Sequence, residues 1–210
     1  MVQKRSGRPR GFDPEMAVMQ AVEVFWANGY EGASLDDLTR AIGINRPSLY
    51  ATFGDKRRLF LAAIQAYGQT ISGTAVDAFE AAPTLHEAVQ IFFQTALENA
   101  TRPGKPQGCL IGSAAVASAN DVEGVGDLIR QMSLRSRAGL QARFDQAIAD
   151  ADLPPDFPSE RRAALMIELM QGQVHRARIG DSRDAIAEGL EDRVSAVLAV
   201  QSSSIQNSPS

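Results

Sequence analysis

Arg46, Ser48, Tyr50 and Thr52 are spaced so that, on a helix, they fall near its start and on its outer faces. Pro47 lies among them, and Lys56 and Arg57 follow within the next short element. The chemistry open to such a set is hydrogen bonding to anions and to flat polar edges. A guanidinium offers five N–H donors in a fixed fork, hydroxyls donate and accept, and an ammonium acts as a point charge. Groups of these kinds bind the phosphates and base edges of a duplex. Arg46 is the candidate for bidentate contact with guanine, and Tyr50 and Thr52 are placed to reach phosphate oxygens. Lys56, Arg57 and Arg58 crowd the first turn of a helix begun by Asp55. Cations there oppose the helix dipole, and a phosphate bound at that helix start explains them.

The elements that must hold these side chains can be read from caps and periodicity. Asp13 and Pro14 start a first helix; Val18, Ala21, Val22 and Phe25 make its apolar stripe, Gly29 its C-cap, and Tyr30 folds back on the stripe. Ser34 caps a second helix, with Asp37 completing a capping box. Leu35, Leu38 and Ile42 point inward, and Gly43 ends the helix. Asn45 caps a third helix, in which Pro47 is tolerated and Leu49 and Phe53 share the inner face. Two short helices across a tight turn, with polar residues at the start of the second, form a helix-turn-helix whose second helix enters the major groove of double-stranded DNA.

Charge supports this division. The chain carries −4 overall, but residues 1–60 hold nine Lys/Arg against seven Asp/Glu, whereas the remainder holds twelve against eighteen. A basic head on an acidic body favours one docking orientation. Lys4, Arg5, Arg8 and Arg10 stand in an acid-free N-terminal arm that is expected to be disordered. Its Gly-Arg-Pro-Arg run resembles the centre of an AT-hook, so Arg8 and Arg10 are candidates for the minor groove; the alternative is a solvated tail with non-specific phosphate attraction.

Residues 12–60 resemble the DNA-binding domain of the TetR/AcrR family of bacterial transcriptional regulators. The likeness is carried by Phe25, Gly29-Tyr30, Ser34, Leu38, Ala41, Gly43-Ile44, Leu49-Tyr50, Phe53, Lys56 and Leu59. Thr39 and Asp37 depart from the alanine and glutamate usual there. The resemblance implies that Tyr50 and Lys56 hold phosphates and that Arg46, Pro47 and Ser48 face bases, with Ser34 at the edge of the same surface. It also implies a homodimer, formed by the last two long helices, on a pseudo-palindromic operator, and release by a small-molecule effector of unknown identity. The expected fold is therefore all-α. A disordered arm (1–11) leads into a three-helix DNA-binding domain (12–60), then a helical effector-binding and dimerisation domain (61–200) and a disordered tail (201–210).

Within the body, helices are expected over about 55–81, 84–101, 109–119, 122–150, 159–178 and 183–200. The last two carry apolar stripes, Leu165, Ile167, Leu169, Met170 and Val174 on one, Ile186, Leu190, Val194, Val197 and Leu198 on the other. Phe92, Phe93, Met132, Phe144, Met166 and Met170 are candidates for an effector pocket, with His86 or His175 as a polar group; each residue is also a natural core side chain. Cys109, at the start of a short helix, has three possible roles: a packed small hydrophobe, a pocket-lining group, or a thiol sensing oxidants or electrophiles.

Other chemistry finds little support. One Cys and two distant His give no metal spacing. Catalytic-triad spacing, a phosphate-binding glycine loop and paired carboxylates are missing, so neither an enzyme nor a cofactor is expected. No apolar run suits a membrane span or a secretory signal, and the lone cysteine fits a reducing compartment, so a cytoplasmic location is expected.

Overall fold

The computed structural model describes residues 12–200. The expected arm, with Arg8 and Arg10, and the expected tail lie outside the described residues. Within them the chain is helical without a strand.

The head is built by local rules. Helix α1 (Pro14–Gly32) starts at Asp13, whose carboxylate accepts from the Glu15 N–H at 2.9 Å. Gly29, at φ +72°, breaks it, and a last turn follows before Ala33. Helix α2 (Leu35–Ile42) has both halves of the Ser34–Asp37 capping box. Gly43 at φ +73° turns the chain in a left-handed conformation that suits glycine. The Asn45 carboxamide then accepts from the Ser48 N–H and caps α3 (Arg46–Phe53). Asp55 likewise caps α4 (Lys56–Tyr67). Phe25, Trp26, Leu38, Leu49, Leu59 and Phe60 are fully enclosed beneath. Tyr30 packs back on this core, its ring 6.4 Å from Phe25 and 5.0 Å from Phe60.

Beyond Tyr67 the structure corrects three expectations. The helix foreseen over 55–81 is interrupted by a π turn at Gly68–Ser72, after which α5 runs Thr74–Ala81. Two glycines and one methionine explain the break. A side chain on Gly68 would place its Cβ 2.0 Å from Met132 Cε, and one on Gly73 would come within 2.8 Å of the Gly68 carbonyl. The widened turn lets the helix that carries Met132 approach here. The short helix foreseen at 109–119 centres on a second π turn, Ile111–Ala115. The helix foreseen at 183–200 is two, α9 (Arg183–Ala187) and α10 (Leu190–Leu198), parted at Gly189. The others, α6 (Leu85–Ala100), α7 (Val125–Ala149) and α8 (Ser159–Arg178), stand close to where periodicity puts them.

Packing joins head and body. The core under the head continues through Ile64, Tyr67 and Ile71 to Leu110, Ala114, Val122 and Val125. A second core lies between α5, α6, α7, α8 and α10, around Phe79, Phe92, Phe93, Phe144, Phe157 and Met166. Helix α4 thus belongs to the head at its first turn and to the interior at its last.

Candidate DNA interface and interior cavity

On α3, Leu49 is fully buried while Arg46, Pro47 and Tyr50 are exposed and Ser48 and Thr52 half-buried. Tyr50 is 46% exposed, high for an aromatic residue. Lys56 lies next to this face with its ammonium 4.5 Å from the centre of the Tyr30 ring. Arg46 is not free: its Nε and Nη2 both donate to Oδ1 of Asp36, at 3.1 and 2.9 Å. The Ser34 hydroxyl is committed to the Asp37 carboxylate at 2.5 Å. Arg57 turns away from the α3 surface. Its guanidinium donates to the Glu123 carbonyl at 3.3 Å and meets the Glu123 carboxylate at 3.2 Å, in the segment before α7.

An interior cavity of about 40 Å³ lies where α4, α5, α6, α7, α8 and the segment before the second π turn meet. Its wall includes Phe92, Cys109 and Met170 from the sequence candidates, together with Tyr67, Ser72, Asn99 and Ser136. Phe93, Met132, Phe144 and Met166 do not line it. Phe144 packs edge-on to Phe79 and against Phe157, Phe93 lies fully buried beside Phe92, and Met166 is fully buried in the same core. Met132 sits on Gly68. His86 and His175 are exposed and take no part. Burial pushes the Tyr67 hydroxyl above its ordinary pKa, and the Cys109 thiol beside it adds to the shift. Asn99 donates to the Ile71 carbonyl and the Thr74 hydroxyl, both at 2.9 Å. A larger groove of about 740 Å³ runs outside, between α1 and α4, past Met16, Met19, Phe53 and Gln65.

Residues 18–63 match the family model described as bacterial regulatory proteins, tetR family, and residues 86–192 match the tetracyclin repressor-like C-terminal domain. The chain belongs to the TetR family of bacterial transcriptional regulators. Its members are DNA-binding regulators and not enzymes. Among solved structures, a cysteine-substituted form of the TetR-family regulator CifR in complex with 26-bp double-strand operator DNA is 33% identical. That likeness covers 90% of this chain and 99% of CifR, with a TM-score of 0.83. The transcriptional repressor ComR of Escherichia coli is 27% identical over 89% of this chain and 90% of its own length. The HTH-type regulator YezE of Bacillus subtilis is 37% identical, over 52% of this chain and 57% of its own length.

Placed in a TetR-family frame, α3 is the second helix of the helix-turn-helix, and α4 connects it to the helical C-terminal domain. Asp36 and Glu123, the acids that engage Arg46 and Arg57, escaped sequence reasoning. Asp36 carried a faint signal, an extra acid beside the capping Asp37, which its favourable place on the α2 dipole already explained. Glu123 carried none, because its partner is 66 residues away. That Tyr67 lines a cavity beside Cys109 left no mark in the sequence. Among the described residues no helix is long and apolar enough to cross a membrane, and no cluster of metal-ligating side chains occurs.

Proposed function

We propose that this TetR-family regulator is a repressor. Two copies pair through α8 and α10, set their α3 helices on the halves of a pseudo-palindromic operator, and let go when a small molecule enters the interior cavity. One observation carries this reading: α4 begins with Lys56 beside the recognition helix and ends with Tyr67 in the cavity wall. Its twelve residues form a rod about 18 Å long. Cavities for drug-sized ligands are roughly 300–1,000 Å³, so an effector must part the walls of a cavity of about 40 Å³. Movement of Tyr67 is then carried along the rod to the head. The effector acts by binding the parted state more tightly than the closed one.

In this reading Arg46, Pro47 and Ser48 face bases, and Tyr50, Thr52 and Lys56 hold phosphates. Ser34 borders the backbone contact, and Arg57 joins it when released from Glu123. Arg8 and Arg10, which lie outside the described residues, add to the DNA contact. The half-buried Leu165 and Leu169 and the exposed Val200 supply apolar surface for a second subunit. The 26-bp operator bound to CifR is long enough for two half-sites about one helical turn apart. ComR carries the description of a repressor.

Fluorescence anisotropy of the full-length protein on DNA from upstream of its own coding region tests the reading, with a scrambled duplex as control. Selective, salt-sensitive binding that Arg46→Ala weakens is expected. Equal affinity for both duplexes, unaffected by Arg46→Ala, counts against it. Ala96→Leu, which fills the cavity wall, is expected to keep DNA binding and lose release by effector.

A second reading has its own observation: the only cysteine, Cys109, lines the same cavity against Tyr67 of α4. Oxidation or alkylation of that thiol would enlarge it and press on the same rod. If an oxidant or electrophile still releases DNA from Cys109→Ser, this second reading fails while the first stands.

A further inference from the structure

Asp36 on α2 and Arg46 on α3 are ten residues apart, yet two N–H groups of the guanidinium converge on one carboxylate oxygen. The two side chains remain 62% and 55% exposed. A pair so open to water adds little to folding. An acid on the surface that meets phosphates also weakens attraction to any duplex. Neither fold stability nor general DNA affinity accounts for the arrangement.

The geometry of the contact does. A guanidinium has five N–H donors in a planar fork. Nε–H and one hydrogen of Nη2 form its side edge, and Asp36 occupies that edge. The end edge, formed by Nη1 and the other hydrogen of Nη2, stays open, and its spacing matches O6 and N7 of guanine in the major groove. Asp37, one residue on, cannot take this role, because its carboxylate is bound by Ser34 and Arg40.

We propose that Asp36 is a specificity-determining residue of the interface. It holds the side edge of Arg46, turns the end edge toward the groove, and so fixes a guanine at one position of each half-site. This rests on the DNA-reading function above. A guanidinium without Asp36 swings to the nearest phosphate, where it contributes charge and no sequence information.

Selection from a pool of duplexes carrying 30 randomised base pairs, run with full-length wild type, Asp36→Ala and Arg46→Ala, tests the proposal. Wild type is expected to enrich guanine at one position in each half-site. Asp36→Ala and Arg46→Ala should lose that preference at the same position, by about tenfold, the discrimination of one good bidentate contact. The two variants should part in general affinity. Asp36→Ala binds unselected duplex more tightly than wild type, with a salt slope steeper by about one, whereas Arg46→Ala binds it less tightly. Asp36→Asn, closer in shape, serves as the second variant should Asp36→Ala lower the melting temperature. The proposal is overturned if the Asp36 variants enrich the same guanine as wild type. A wild type that enriches no sequence overturns the DNA-reading function itself, and this inference with it.

Discussion

The guanidinium of Arg57, in the first turn of α4, clasps Glu123 in the segment before α7, meeting both its carbonyl and its carboxylate. The contact ties the start of α4, next after α3 in the chain, to the body. It also removes from the DNA surface a cation that the sequence assigns to it. Under the proposed function a phosphate and Glu123 compete for one side chain. Glu123→Gln is expected to tighten operator binding several-fold and to steepen its salt dependence by about one, as one more phosphate is neutralised. The pair is too exposed to affect melting by more than about 1 kcal/mol. Anisotropy across a salt series checks this; an unchanged slope would place Arg57 away from DNA in both states.

Lys56 and Tyr50 should separate in their effects. Tyr50→Phe removes only a hydroxyl from an exposed ring and should weaken binding about equally on all duplexes, since phosphate contacts carry no sequence information. Lys56→Ala should do the same and also lower stability by about 0.5–1 kcal/mol, because its ammonium lies over the Tyr30 ring. Thermal melts beside the binding curves distinguish the two.

The first π turn allows a test of packing. At Gly73 an added Cβ meets the Gly68 carbonyl at 2.8 Å, and backbone cannot step aside. Gly73→Ala should cost about 1–3 kcal/mol. At Gly68 the obstacle is the tip of Met132, so Gly68→Ala should cost less and recover when combined with Met132→Ala. Denaturant unfolding of the three variants decides it; equal costs at the two glycines would contradict this account of the break.

Phe144 and Met170, both pocket candidates in the sequence, should respond differently. Phe144→Ala leaves a void in the aromatic core and should cost about 3–5 kcal/mol, with little change in effector affinity for the protein that remains folded. Met170 lines the cavity and is half-buried. Met170→Ala should alter effector response at a smaller cost in stability. Melting temperature and effector titration of both variants supply the comparison.

The capping box predicts an acid limit. Hydrogen bonds from the Ser34 hydroxyl and backbone N–H hold the Asp37 carboxyl below its ordinary pKa. A depressed carboxylate contributes stability that is present above its unfolded value and lost as pH falls through the folded one. The stability advantage of wild type over Asp37→Asn should therefore be full near neutrality and close below about pH 4. Melting temperatures of the two proteins between pH 3 and pH 7 give the check.

The caps and turns of the head, and the side of α3 that faces outward, can be read from the chain alone. Asp13, Ser34, Asn45, Asp55 and Thr84 each satisfy an N–H two or three residues ahead, and Gly43 meets a local demand on φ. Rules acting over two to four residues are legible in a chain. The alternation of Leu49 with Arg46 and Tyr50 fixes which face is buried for the same reason. What those outward residues touch, and where the interior opens, depends on long-range packing. Asp36 finds Arg46, and Glu123 finds Arg57, only after the chain has closed. Phe92 and Phe93 are neighbours on one helix, yet only Phe92 reaches the cavity, because the setting of α6 against α8 chooses between them. The first π turn likewise arises where Gly68 yields to Met132 from α7. No periodicity records these outcomes, since they depend on how distant elements share a volume.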